Sequence, residues 1–384
     1  MSRLTYATAG ESHGSCLVAQ VDGLPAGFAL PLGLVDELLR RRQGGYGRGG
    51  RQKIEEDRVE VLTGVLRGRA IGSPLVMRIA NRDSRLDEAP PLHRPRPGHA
   101  DLAGALKWDT EDCRPILERA SARETAARTA AGALAKGLLR EFGIEAAGFV
   151  IQLGGVDAAV PADLPLAEIV ARRDASAVYC PDVAVEAAMR QAIDDAKRDG
   201  DTVGGLFEVR VAGLPAGLGS CFRREDRLDA RIAAALMAIQ AVKGVEIGPA
   251  FANAARRGSQ VHDEIFWDPS LSEQPRRGIR RGSNNAGGLE GGMTNGEALV
   301  VRGAKKPIST LGRRLRSIDL RTKEAAEAAY ERSDICALPA ASVIAEAVVC
   351  FELADAFLER FGADTIEETH RRFRAAAAKE EGPS

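Results

Sequence analysis

The chain has 384 residues, 45% of them hydrophobic and 28% charged, which is typical of a folded globular protein and argues against disorder. Lysine and arginine number 53 against 54 acidic residues, so the net charge of −1 lacks the basic excess typical of nucleic-acid-binding proteins. The six cysteines form no CxxC pair, which predicts reduced thiols and neither a zinc site nor a disulfide framework. No signal peptide and no run of about 18 apolar residues is present, so we expect a cytoplasmic protein without a membrane partner.

The pattern of apolar residues predicts helices and strands mixed along the whole chain. Ser121 and Glu124 have the spacing of a capping box, at the start of a helix that Gly143 would end. The predicted strands are 16–21, 58–63, 74–79 and 205–213. The predicted helices are 34–42, 121–142, 183–198, 226–243 and 339–360.

These elements show neither an internal repeat nor a linker, and they lack the regular βα alternation of a barrel or a doubly wound sheet. We therefore predict a single large α+β domain over residues 1–362. A polar, helix-prone C-terminal tail at 363–384 would follow it.

Two arginine-rich segments have the chemistry of anion-binding sites. The first, at 40–51, combines five arginines with glycines that allow the backbone to approach a ligand, and arginine grips phosphate or carboxylate with two N–H groups. The second places Arg119 and Arg123 at the start of a predicted helix, where free N–H groups favour an anion. The alternatives are a solvated basic helix end for the first segment and a simple helix cap for the second.

Two of the five histidines lie beside a glycine in polar loops. His13 precedes a strand, and His99 ends a proline-rich irregular segment at 81–98. Histidine is suited to acid–base chemistry near neutral pH, although a surface role is the alternative for each. Asp334 lies between Arg332 and the apolar C-terminal helix, where an ordinary helix cap with a solvated ion pair is the alternative.

Seven segments occur in the order and approximate spacing of the chorismate synthase family, which the chain resembles from about residue 5 to about residue 360. The segments are 10–14 (GESHG), the arginine- and glycine-rich loop at 40–51, 96–101 (RPGHAD), 119–125 (RASARET), 241–246 (AVKGVE), 306–310 (KPIST) and 332–334 (RSD). Each segment alone is weak evidence for the family, but seven segments in the same order make the resemblance specific.

The resemblance implies a β-α-β sandwich, a homotetramer and an enzyme that converts 5-enolpyruvylshikimate 3-phosphate to chorismate and phosphate by an anti 1,4-elimination. It also implies reduced FMN as a cofactor, although the reaction has no net redox change. NADPH and a separate flavin reductase are the candidate sources of the reduced flavin. The phosphate and two carboxylates of that substrate match the anion chemistry predicted from the arginine segments.

By resemblance, His99 would be the acid near the leaving phosphate, and His13 would protonate or stabilise the reduced flavin. Asp334 would relay a proton, with Ser12 and Ser121 as its neighbours. The substrate-binding residues would be Arg41, Arg48, Arg51 and Arg123. The flavin contacts would be Arg119, Ala120, Ser121, Gln240, Ala241, Gly291, Lys306, Pro307, Ile308, Ser309, Thr310 and Arg332. The loop is one glycine longer than the family pattern at Gly44–Gly45, so either Arg48 or Arg51 is the outer arginine.

Two other functions are compatible with parts of the sequence. An NAD(P)H-dependent flavin oxidoreductase would use the same cofactor, but the glycine-rich stretch at 282–292 neither follows a clear strand nor opens a clear helix, as a dinucleotide fingerprint would. A non-catalytic anion- or RNA-binding protein would use the arginines, but the balanced charge and the 4% of aromatic residues argue against it.

Overall fold

A computed structural model describes residues 4–50, 55–271, 278–331 and 333–379. Arg51 and Arg332 lie outside the described residues, and so do the predictions made for them. The described helices are α1 (Leu32–Gln43), α2 (Asp101–Lys107), α3 (Arg114–Ala120), α4 (Thr125–Arg140), α5 (Leu166–Ala175), α6 (Glu186–Arg198), α7 (Leu228–Met237), α8 (Ala250–Ala254), α9 (Leu338–Phe361) and α10 (Ile366–Lys379). The described strands are β1 (Thr5–Gly10), β2 (Cys16–Asp22), β3 (Glu60–Thr63), β4 (Val65–Leu66), β5 (Arg69–Ala70), β6 (Leu75–Ala80), β7 (Glu145–Leu153), β8 (Val156–Asp157), β9 (Gly205–Ala212), β10 (Val242–Ile247), β11 (Ile265–Trp267), β12 (Ile279–Arg281), β13 (Leu289–Glu290), β14 (Met293–Thr294), β15 (Leu299–Lys305), β16 (Arg316–Ile318) and β17 (Ala325–Glu327).

Two antiparallel sheets enclose a layer of helices. The first sheet has the strand order β1-β2-β6-β3, and the second has the order β10-β15-β9-β7-β8. In the first sheet Leu17 pairs with Ile79, and both side chains are buried. In the second sheet Phe207, Val209 and Val211 of β9 are fully buried, as the alternating pattern predicts.

The helix layer consists mainly of α4 and α9, with α1 and α7 beside them, and it joins the two sheets into one core. Helix α4 packs on β1, β2 and β6, while α9 packs on β7 and β9. The two helices approach closely at Gly132, where a Cβ atom would lie 2.2 Å from the carbonyl oxygen of Ala347. This sheet–helix–sheet arrangement confirms the predicted α+β class and the β-α-β sandwich.

The helix predicted over 226–243 is wrong in its second half. Helix α7 ends at Met237, Ala241 adopts a positive φ of 68°, and β10 then pairs with β15. Leu228, Ile232 and Leu236 are buried within α7, and Ile239 is buried beyond the end of the helix. Pairing with a strand more than fifty residues away overrides the local helical pattern here.

The capping box predicted at Ser121 and Glu124 is only half formed. Ser121 caps a 3-10 turn over 122–124 by accepting the N–H of Arg123, and α4 begins at Thr125. The carboxylate of Glu124 is buried and binds Thr8 and Arg128 instead of reaching back to the cap. The side-chain partners of Glu124 therefore replace the reciprocal hydrogen bond of a capping box.

Most of the predicted C-terminal tail forms α10, which packs on α9. The ring of Phe373 contacts those of Phe357 and Phe361, with ring centroids 5.4 and 5.2 Å apart. The domain boundary at residue 362 remains a prediction. Among the helices that the structure describes, none has the length and apolar character needed to cross a membrane.

Candidate active site

A cleft of about 520 Å³ gathers most of the residues predicted to be functional, from segments spread over the chain. The predicted residues that line it are Ser12, His13, Arg48, His99, Ala120, Ser121, Arg123, Gln240, Ala241, Lys306, Ile308, Ser309, Thr310 and Asp334. Such a concave site with a few convergent polar groups is typical of a small-molecule site.

A tight turn brings His99 into the cleft. Pro97 and Gly98 occupy the centre of this turn, Gly98 has a φ of 74°, and the N–H of His99 donates to the carbonyl of Arg96. The Nδ1 atom of His99 makes a short hydrogen bond to Asp101, which is fully buried at the start of α2. Asp101 therefore fixes the orientation of the imidazole. Among the described residues Nε2 is the nitrogen without a carboxylate partner, and it lies 3.3 Å from NH2 of Arg96.

The charge of Asp101 is secured by its neighbours. Burial raises the pKa of this carboxyl, but hydrogen bonds from His99 and from the guanidinium of Arg96 outweigh burial and hold the pKa well below its usual range. The Nε atom of Arg96 lies 2.8 Å from Asp101, and its NH1 group donates to Thr310 at 3.0 Å. The ion pair thus links the His99 turn to the 306–310 segment.

A second buried carboxylate holds His13 in the same manner. Glu118 of α3 is 1% exposed and lies 3.0 Å from Nδ1 of His13, and it also accepts the backbone N–H of His13. Burial raises the pKa of Glu118, but the hydrogen bonds from His13 and the charge of Arg114 lower it below its usual value. The other ring nitrogen, Nε2, lies 3.8 Å from Asp83.

Two of the predicted relay residues are in direct contact. The hydroxyl of Ser121 donates to that of Ser12 at 3.0 Å, and Ser12 is 2% exposed. The backbone N–H of Ser12 also donates to the carbonyl of Glu118. The loop after β1 and the end of α3 are therefore held together beside His13.

Asp334, the third predicted relay residue, is engaged by the glycine-rich loop. One carboxylate oxygen accepts the N–H of Gly49 at 2.6 Å, and the other lies 2.7 Å from NH1 of Arg48. A Cβ atom at Gly49 would lie 2.9 Å from the carbonyl oxygen of Ser333, so the close approach requires glycine. Arg48 thus lies in the cleft but is paired with a residue predicted to be catalytic.

Arg123 belongs to a buried charge cluster on the cleft wall. Asp57 bridges Arg123 and Arg42 at 2.6 and 2.8 Å, and Asn81 accepts from Nε of Arg123 at 2.9 Å. Burial raises the pKa of Asp57, but the two guanidinium groups outweigh burial and lower it. Glu55 adds a second carboxylate, 3.6 Å from NH2 of Arg123, so the two arginines face this wall within a charge-balanced cluster.

Residues predicted to contact a flavin form another part of the wall. Lys306 donates its backbone N–H to the carbonyl of Ala241 and its ammonium to the carbonyl of Gly98, at 2.6 Å. Burial lowers the pKa of Lys306, and the charge of Lys243 lowers it further. In the described part of the chain, the buried Oε1 atom of Gln240 has no hydrogen-bond partner. Pro307 lies in this segment but not on the cleft surface.

Three further residues predicted to belong to the site do not line the cleft. Arg41 points away from the cleft and faces Glu346 and Asp174, with its NH2 group 3.5 Å from Glu346. The side chain of Arg119 is directed at β1, where it donates to the carbonyls of Thr8 and Gly10. Gly291 forms the turn between β13 and β14, with a φ of 60°. Their assigned roles remain predictions.

Several residues with evident importance for the cleft had no assigned role from the sequence. Arg42, Arg96 and Lys305 line the cleft, while Asp101 and Glu118 hold the two histidines. A usable signal existed for Asp101, because it follows His99 by two residues at the start of a helix. For Lys305 the alternation of β15 would have placed it on the buried face.

Two oriented histidines, a hydrogen-bonded serine pair and a largely cationic wall define an enzyme site for an anionic small molecule.

Comparison with known proteins agrees with this class. The chorismate synthase family model matches residues 4–358. Chorismate synthase of Symbiobacterium thermophilum is 55% identical over 97% of this chain and 98% of its own length. Chorismate synthase of Desulforamulus reducens is 51% identical over 96% of this chain and 97% of its own length.

A solved structure supports the same conclusion. A crystal structure of chorismate synthase superposes on this structure with a TM-score of 0.81 and 39% sequence identity. The alignment covers the full length of both chains. The chain therefore belongs to the chorismate synthase family, and it is an enzyme of the lyase class.

Proposed function

We propose that this enzyme eliminates phosphate from 5-enolpyruvylshikimate 3-phosphate in an anti 1,4-elimination that yields chorismate, with reduced FMN as a cofactor. The observation that carries the proposal is the cleft in which His13 and His99, each held by a buried carboxylate, face Arg48 and Arg123. A substrate with one phosphate and two carboxylates matches this charge. Membership of the family supports the same reaction.

The residues of the cleft fit a flavin. Apolar side chains on one part of the wall suit a planar ring, and the unpartnered Oε1 atom of Gln240 can accept from a ring N–H group. Ala241, Lys306 and Thr310 would hold the polar edge and the phosphate. The apolar wall consists of Leu117, Ala120, Ile239, Ala340, Ala341 and Ile344. When bound, reduced FMN supplies electron density for phosphate departure and a site that accepts the C6 hydrogen.

His99 is proposed as the acid for the leaving phosphate. Because Nδ1 is hydrogen-bonded to Asp101, a proton on Nε2 is the one that can be donated to the phosphate oxygen. The adjacent guanidinium of Arg96 attracts the departing phosphate.

The other proton transfers, at the reduced cofactor and from C6 of the substrate, are proposed to involve His13, Ser12, Ser121 and Asp334. Glu118 holds Nδ1 of His13 and so orients the ring to protonate or stabilise a reduced cofactor. The serine pair provides a hydrogen-bonded path beside it. Arg48 would bind substrate in place of Asp334, and this exchange would free the carboxylate for proton transfer.

The other expectations from the resemblance are proposals as well. They include the homotetramer, the cytoplasmic location, and NADPH or a separate reductase as the source of reduced flavin. Exposed apolar residues on the β11–β12 hairpin, Ile265, Phe266 and Trp267, support self-association of the chain.

The test is formation of chorismate from 5-enolpyruvylshikimate 3-phosphate with chemically reduced FMN under anaerobic conditions. We expect turnover by the parent enzyme and a rate roughly 10²- to 10⁴-fold lower for His99→Ala, the usual contribution of a general acid. His262→Ala is the matched control, since His262 is exposed and does not line the cleft. Folded protein that binds both ligands without product would contradict the proposed reaction, and a fully active His99→Ala would contradict only the acid assignment.

A further inference from the structure

Lys305 is a buried lysine on the wall of the cleft, and none of the roles described above uses it. It is the last residue of β15, in which Leu299, Val301 and Lys305 lie on the buried face of the strand. The residue is 8% exposed and lines the cleft next to Lys306. A methionine or leucine would fill this apolar position without burying a charge.

The surroundings of the Lys305 ammonium are short of negative charge. Within the described part of the chain its one hydrogen bond is to the carbonyl of Gln240, at 2.6 Å. Arg48 and Lys306 add positive charge nearby, and the carboxylate of Asp334 is already engaged by Arg48 and the N–H of Gly49.

The ammonium of Lys305 is held less firmly than that of an exposed lysine. Burial lowers its pKa to about 8, and Arg48 and Lys306 lower it too, against the opposite effect of Asp334. A buried ammonium without a carboxylate partner costs folding free energy that an apolar residue would not. An anion that enters the cleft would remove this cost.

We propose that Lys305 is an additional anion-binding residue of the cleft, whose ammonium holds a phosphate or carboxylate group of a bound ligand. The identity of that ligand rests on the proposed function, whereas the anion site itself does not. Near pH 8 an arriving anion stabilises the ammonium and draws a proton onto it, so anion binding and proton uptake are linked at this residue.

Calorimetric titration tests both effects with Lys305→Met, which keeps the approximate volume and removes the charge. At pH 8 the parent takes up as much as about half a proton per site through Lys305, measured in two buffers of different ionisation enthalpy. We expect the variant to lose this uptake and to bind the anion roughly ten- to a hundredfold more weakly. The two cleft histidines are present in both proteins, so the difference between parent and variant reports on Lys305.

Four titrants separate the sources of the anion. A loss of affinity for 5-enolpyruvylshikimate 3-phosphate assigns Lys305 to the substrate, and a loss for FMN but not for riboflavin assigns it to the flavin phosphate. Inorganic phosphate is the fourth titrant. If it binds the parent more tightly than Lys305→Met while the substrate binds neither, the anion site stands and the proposed function fails. Equal affinities of parent and variant for every titrant overturn the inference.

Controls exclude a merely structural role. Lys197→Met removes one charge from an exposed position of α6 and is expected to bind every titrant as the parent does. The Tm of ligand-free Lys305→Met should be equal to or higher than that of the parent, because a costly buried charge is removed. A lower Tm with unchanged affinities would assign Lys305 to holding the Gln240 carbonyl and would overturn the inference. Should Lys305→Met not fold, Lys305→Gln, which can still donate to the Gln240 carbonyl, takes its place, and affinities equal to those of the parent overturn the inference.

Discussion

Each cleft histidine has one ring nitrogen committed to a buried carboxylate, and this pairing sets what the other nitrogen can do. Asp101 is fully buried and Glu118 is 1% exposed, so neither exchanges its histidine for water. In a site of low polarity a neighbouring negative charge favours the protonated imidazole. The carboxylates act through the histidines and are positioning residues for the proton transfers proposed above.

Replacing Asp101 should lower the turnover number and leave substrate binding largely intact. In Asp101→Asn the amide can donate to Nδ1 of His99 as well as accept from it, so the buried partner no longer fixes the proton on that nitrogen. We expect kcat to fall by roughly 10²-fold or more, because the proposed acid is no longer held in its working state, while the Kd of the substrate changes little. Steady-state kinetics and calorimetric titration of the substrate measure the two quantities.

Asp109→Asn is the matched control for that experiment. Asp109 is exposed in the connection that follows α2, and its φ of 49° is one that asparagine tolerates. The control should leave kcat and the substrate Kd unchanged. If Asp101→Asn lost substrate affinity and turnover to the same extent, Asp101 would only support the fold of the site.

Neighbouring residues of the same type show where prediction from the sequence ends. Arg41 and Arg42 are about 100° apart around α1, and the structure directs Arg42 to the cleft and Arg41 to Glu346. The sequence identifies the cluster of arginines as an anion site, but both faces of this helix end are lined by acidic partners. The hydrophobic pattern therefore does not reveal which arginine faces the ligand.

At the scale of elements, the limits of a helix or strand are best predicted where residues within or next to it mark them. Helix α9 begins and ends within one residue of the predicted limits of 339–360, because its apolar pattern is continuous and Gly362 follows it. The helix predicted over 226–243 instead runs into the first two residues of β10, a strand whose partner β15 lies more than fifty residues away. Partners distant in the chain determine such strands, and a local pattern does not contain them.

The crossing of α4 and α9 depends on one glycine, which makes a prediction at this scale. In Gly132→Ala the new methyl group would lie 2.2 Å from the carbonyl oxygen of Ala347, so the two helices must separate. We expect the free energy of unfolding to fall by about 1–3 kcal/mol, as for other overpacked cores. Urea unfolding monitored by circular dichroism measures it.

The matched control is Gly33→Ala in α1, where a Cβ atom would have no neighbour within 4 Å. Alanine has the higher helix propensity, so this change should be neutral or stabilise by as much as about 1 kcal/mol. If both glycine variants unfolded at the parent's urea concentration, close packing at Gly132 would not be what holds α4 against α9.

At the scale of the whole molecule, a buried charge network crosses the helix layer. Glu346 of α9 is fully buried and accepts hydrogen bonds from Lys136 of α4, from the N–H of Gly148 in β7 and from Arg173 of α5. Arg41 of α1 completes the network, at 3.5 Å. One carboxylate thus ties three helices and a strand to α9.

This network predicts how stability changes in acid. Burial raises the pKa of Glu346, but Lys136, Arg41 and Arg173 outweigh burial and hold it well below its usual range. A carboxyl with a folded-state pKa below its unfolded value contributes stability that is complete above the unfolded value, about 4.3. That contribution is lost as the pH falls toward the folded-state pKa. Asp57, Asp101, Glu118 and Glu124 have pKa values lowered in the same direction, so the loss is cooperative.

Glu346→Gln measures how much of the acid-induced loss of stability comes from Glu346. At pH 7 the variant leaves the buried Lys136 without its carboxylate, and Arg41 and Arg173 keep only Asp174 among the described carboxylates. We expect its free energy of unfolding to be lower by about 3–5 kcal/mol. Between pH 5 and 3 its stability should fall less steeply than that of the parent, because the titrating group is gone. Glu290→Gln breaks an exposed pair with Arg281 and should cost less than about 1 kcal/mol with the parent's slope. Urea unfolding at each pH measures both quantities, and a Glu346→Gln curve parallel to the parent's would show that the acid sensitivity arises from other carboxylates.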